Sequence, residues 1–133
     1  MKKIIILFLL LSVMLDNAKA IETIEIPMSK ANKIVVELMF YNGSKIDPSG
    51  KEGLTNLTLS TIMGGGTLSK KNSELSYLTE PWGARYYGMV DKEVSIMMFE
   101  VLSTYADQFQ KEIISGLVLS PSFSEDDFNR AKS

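Results

Sequence analysis

The chain has 133 residues, 45% of them hydrophobic and 23% charged, with a formal net charge of −2 and neither histidine nor cysteine. That composition suits one folded domain and excludes disulfide bracing, thiol chemistry and any site built on imidazole. The acidic balance, with no compensating basic patch, repels phosphate backbones, so nucleic acid is excluded as a partner class.

Lys2 and Lys3 precede an apolar run from Ile4 to Leu15 that is too short to span a bilayer. Asp16 and Asn17 are polar, and Ala18-Lys19-Ala20 fits small-x-small cleavage, so residues 1–20 are expected to be a secretory signal peptide. The protein is then expected to be exported and periplasmic, with no membrane attachment after cleavage. Losing three Lys and one Asp with that segment takes the net charge from −2 to −4.

Beyond it, Ile24-Glu25-Ile26 alternates as an edge strand does, and Pro27 ends it. Residues 33–41 are nearly continuously apolar, which predicts a central strand covered on both faces. Asn42-Gly43 and Asp47-Pro48-Ser49-Gly50 are turn chemistry. A helix is predicted from Lys51 to Met63, stopped by Gly64-Gly65-Gly66. A second, starting near Ser69 or Ser73, carries Leu75, Tyr77 and Leu78 inward until Pro81 breaks it. Residues 83–90 and 93–102 read as a hairpin turning at Asp91 and Lys92. Ala106, Phe109, Ile113 and Leu117 recur at helical spacing up to Pro121. Ser124 with Asp127 is a capping-box-like helix start. The order predicts an α+β fold, an antiparallel sheet with helices packed on one face.

The segment from Gly53 to Thr67, GLTNLTLSTIMGGGT, resembles the G-L-A-H-x-x-E-H helix of the pitrilysin and insulinase zinc peptidases, the inverzincins. The strand from Ile34, the Asp47-Pro48-Ser49-Gly50-Lys51-Glu52-Gly53 loop, Trp82-Gly83-Ala84 and the run from Leu119 to Lys132 resemble further family segments in the correct order. The resemblance covers 21–133 and implies the first part of an inverzincin domain. A complete domain is longer, and Ser133 falls about two turns into the last helix, so the chain reads as a truncated chain or a gene fragment.

In the family, two imidazoles bind zinc and a glutamate removes a proton from the metal-bound water. Asn56, Leu59 and Ser60 stand at those three degenerate positions. An amide, a hydrocarbon and a hydroxyl neither hold zinc usefully nor act as a general base, so no catalytic residue, no metal ligand and no cofactor are expected. Stepping ~100° per residue groups Leu54, Leu57, Thr58, Thr61 and Ile62 on one side, the expected core face. Asn56, Leu59, Ser60 and Met63 group on the other, where they either contact a peptide or partner or simply pack on a neighbouring element.

Other features carry less. Gly64-Gly65-Gly66 lacks the Lys-Ser or Lys-Thr of a phosphate loop. Asn42-Gly43-Ser44 and Asn56-Leu57-Thr58 match the glycosylation sequon. Glu125, Asp126 and Asp127 are explained by capping and the helix dipole. Trp82, Arg85, Tyr86 and Tyr87 cluster in sequence, as a ligand site or cross-strand pairs.

The resemblance implies a non-catalytic peptidase-family protein that pairs with a zinc-bearing catalytic subunit, or with the C-terminal remainder of its own polypeptide, and helps hold extended peptides. A fragment of a longer zinc metalloendopeptidase, active elsewhere, is one alternative. A structural or assembly protein of the same fold, like the inactive relatives in respiratory-complex cores, is another.

Overall fold

Period-two burial in one strand organises the molecule, a computed structural model that describes residues 21–133. The expected signal peptide, residues 1–20, lies outside the described residues. Strand β3 (Ser95–Leu102) buries Ser95, Met97, Phe99 and Val101 while the intervening side chains are half-buried. It is the centre of a three-stranded antiparallel sheet in the order β1-β3-β2, with β1 at Lys33–Phe40 and β2 at Arg85–Val90. The register places Val36, Phe99 and Tyr86 in one row and Leu38, Met97 and Gly88 in the next, so these positions share the core face.

Helices α1 (Leu54–Met63), α2 (Asn72–Thr79) and α5 (Glu125–Lys132) are regular. Between β3 and α5, a longer helical run joins α3 (Ala106–Phe109), a π-helical turn (Gln110–Ile114) and α4 (Ser115–Leu119). Phe109, Ile113 and Leu117 are spaced by four, which drifts on a 3.6-residue helix; the wider π turn offsets the drift and all three stay buried. Phe99 of β3 meets Phe109 edge-on at 6.3 Å between ring centres. The helices therefore cover the core face of the sheet. The fold is α+β, as expected.

Several expectations give way. β1 is not central: among the described residues it pairs only with β3, and its side chains are half-buried or exposed. Its apolar run reflects an uncovered edge, which periodicity cannot tell from a buried centre. Ile24-Glu25-Ile26 is not a strand; among the described residues it has no ladder partner, and Ile24 and Ile26 are exposed. Tyr77 points outward at 79% exposure, while Leu75 of the same helix is fully buried. The hairpin turn has four residues, with Asp91 N–H donating to the Val94 carbonyl at 2.9 Å, because Val90 pairs with Ser95. Helix α1 begins at Leu54, since Gly53 takes a left-handed conformation at φ 93° that a helix cannot contain.

Candidate functional site

The loop before α1 is organised by one carboxylate. Asp47 accepts hydrogen bonds from the Gly53 and Thr55 backbone N–H groups at 2.7 and 2.9 Å and from the Thr55 hydroxyl at 2.6 Å. These donors occupy the helix start, where backbone N–H groups otherwise lack partners. The Thr55 hydroxyl, followed by the backbone donors, holds the Asp47 carboxyl below its usual pKa.

Along α1 the buried residues are Leu59, Thr61 and Met63. The expected core face is thus rotated: Leu54 and Thr58 are exposed, Leu57 and Ile62 half-buried, and only Thr61 of that set is buried. Apolar residues lie all round this helix, so its own pattern selects no face. Gly88 of β2 selects it. A Cβ there would lie 2.5 Å from Leu59 Cγ and 3.1 Å from Met63 Cγ, so both side chains seat where the strand has no side chain. Leu59 and Met63 are each 6% exposed. Asn56 is exposed and Ser60 half-buried, so these two are the members of the group still facing outward.

The far end of α1 is tied to α5. Asp127 is buried and accepts hydrogen bonds from Gly66 N–H at 3.1 Å and from the Ser122 hydroxyl, and it pairs with Arg130. Its own N–H donates to the Ser124 hydroxyl at 3.2 Å, the expected cap. Burial pushes the Asp127 pKa up, but the bonds from Ser122, Gly66 and Ser124 and the Arg130 charge outweigh it, and the net direction is down. The capping reading of the acidic trio therefore holds but misses the bond to Gly66, because no local pattern announces a partner 61 residues away.

The aromatic cluster of the sequence is dispersed. Tyr86 stacks on Phe99 and Trp82 on Tyr105, whereas Tyr87 is exposed on the opposite face of the sheet. Arg85 pairs with Glu100 of β3, which also pairs with Lys33 of β1. These cross-strand pairs lie on the face away from the helices.

A cleft of about 300 Å³ opens between α1 and the sheet, lined by Phe40, Asn42, Leu54, Thr58, Ile62 and Met97 among others, none of them charged. Its chemistry suits apolar contact with a few neutral hydrogen bonds. The donor set on α1 does not fit zinc: Asn56 and Ser60 are poor ligands, and Leu59 lies in hydrocarbon against the Gly88 backbone. Among the described residues no group of three or more carboxylate, imidazole or thiolate side chains is gathered for a metal. No helix among them is long and apolar enough to cross a membrane.

No protein-family model and no curated protein matches the chain. Among solved structures it is similar to a protease from Helicobacter pylori, with a TM-score of 0.66 and 17% identity, over 77% of this chain and 24% of that one. The chain has the fold of part of that protease. It spans about a quarter of the protease's length.

Proposed function

We propose that this chain is a non-catalytic, inverzincin-type peptidase-like protein, exported to the periplasm, that works beside a zinc-bearing subunit and helps hold extended peptide. The observation that carries the reading is the seat of Leu59. It occupies the family's general-base position and is buried over Gly88, so the helix that would deliver a proton acceptor delivers hydrocarbon. The likeness to part of a protease supports the scaffold. Among the described residues β2 is a sheet edge with α1 packed on it, and an added strand needs only backbone hydrogen bonds. Asn56 and Ser60 are the residues proposed to contact peptide or partner, with Leu59 and Met63 as their support.

Two measurements test this reading. The purified chain, supplied with zinc and a quenched fluorescent peptide library, is expected to show no chelator-sensitive cleavage. Co-expressed with its genomic neighbours, it is expected to co-purify with a subunit carrying H-x-x-E-H. Chelator-sensitive hydrolysis by the chain alone, or one tightly held zinc per chain, sinks the proposal.

The quarter-length match favours a second reading, a piece of a longer zinc metalloendopeptidase whose active half lies elsewhere. The coding sequence beyond Ser133 separates the two: an H-x-x-E-H domain in the same frame supports the fragment.

A further inference from the structure

We propose that the free edge of β1 is a pairing site for a second copy of this chain, joined antiparallel about a two-fold axis at Val35 into a continuous six-stranded sheet. β1 is eight residues long, contains no proline and, among the described residues, pairs with β3 on one side alone. Its remaining edge is a row of backbone donors and acceptors, the geometry that recruits another strand. Ile34, Val35, Met39 and Phe40 are 41%, 49%, 53% and 40% exposed, so pairing would also cover apolar surface.

Charge selects the occupant and the register. Lys33 and Glu37 have opposite signs and lie on one face, symmetrically about Val35. An antiparallel copy centred on Val35 sets Lys33 opposite Glu37 of the second copy, twice, with Val35 facing itself. A slip of two residues leaves both charges opposite Val35, Met39 or Ala31. A slip of four sets glutamate against glutamate or lysine against lysine. The other free edge, β2, is six residues long, contains Gly88, and has Arg85 as its one charged residue, so it offers no such self-complementarity.

The chain contains no cysteine, so Val35→Cys introduces a unique thiol at the axis. Facing residues of an antiparallel pair have Cα atoms roughly 4.5–5.5 Å apart, within disulfide range. Under mild oxidation Val35→Cys is expected to give a covalent dimer, whereas Tyr87→Cys, equally exposed on β2, is expected to remain largely uncrosslinked. Among the described residues Glu37 has no ion pair, so Glu37→Lys tests the interface without removing one. By sedimentation equilibrium it is expected to weaken association about tenfold, from two like-charge pairs. A chain that stays monomeric, crosslinking no better at Val35→Cys than at Tyr87→Cys, or a dimer indifferent to Glu37→Lys, overturns the proposal.

Discussion

The Asp127 carboxylate accepts the Gly66 backbone N–H at 3.1 Å, joining the glycine stop of α1 to the first turn of α5 across 61 residues. Gly66 is itself buried, so this N–H has no water to turn to. Asp127→Ala strands it, together with the Ser122 hydroxyl. The expected loss is about 1–3 kcal/mol, read from chemical denaturation, with the slope of the transition unchanged. A loss within 0.5 kcal/mol, on the order of an ordinary surface substitution, would show the bond to be incidental.

The same carboxylate sets a pH dependence. Asp127 has a folded pKa below its unfolded value of about 3.9, so its ionised form favours the folded state. Its contribution is fully present above the unfolded value and is lost as pH falls through the folded one. Glu100, lowered by its hydrogen bonds to Lys33 and Arg85, acts in the same direction. Thermal melts should fall steeply below about pH 4, and Asp127→Asn should flatten that fall while lowering stability at neutral pH. An acid limb of unchanged slope in the variant would assign it to other groups.

At Gly88 the relation is steric. A Cβ there would meet Leu59 Cγ at 2.5 Å and Met63 Cγ at 3.1 Å. Gly88→Ala should cost about 1–3 kcal/mol by overpacking. Combined with Leu59→Ala, it should cost less than the two single losses added together, because the smaller side chain makes room. Strict additivity in equilibrium unfolding would place Leu59 elsewhere.

Introducing ionisable side chains on α1 should fail at one position in particular. Leu59→Glu buries a carboxylate in a site 6% exposed and packed against Gly88, and should cost several kcal/mol or unfold the chain. Asn56→His, at an exposed position, should change stability by less than about 0.5 kcal/mol. Melting curves of the two single variants decide this. Equal tolerance would mean that α1 can turn its Leu59 face to solvent.

Asp47→Ala should fray the start of α1 without unfolding the sheet, since its bonds to Gly53 and Thr55 lie at the helix start. Amide exchange should accelerate at Gly53 and Thr55 while the β3 amides stay protected. Uniform acceleration through β3 would instead make this loop part of the global core.

Local chemistry was readable without coordinates. Gly64-Gly65-Gly66 ended α1, Ser124 capped α5 through Asp127, and the largely apolar run from Ser95 to Leu102 marked β3 as a strand. Each depends on residues adjacent or a few positions apart, whose backbone preferences act before any tertiary contact. That Asn56, Leu59 and Ser60 bring an amide, a hydrocarbon and a hydroxyl to α1 was equally legible, since residue type needs no structure to be known. An isolated glycine at position 88, inside a strand of larger residues, was the available hint of a close approach.

What letters could not convey was which neighbour each surface meets. A run such as Ile34-Val35-Val36 has the same composition at the centre of a sheet as at its edge, and pairing alone made β1 an edge. Helix α1 carries apolar residues on every side, so its inward face was chosen by Gly88, far along the chain, which admits Leu59 and Met63. Asp127 likewise looked like a helix-start acid until Gly66 came within hydrogen-bond reach. Propensity acts over a few residues, whereas burial and pairing depend on contacts between distant ones, and those exist once the chain has folded.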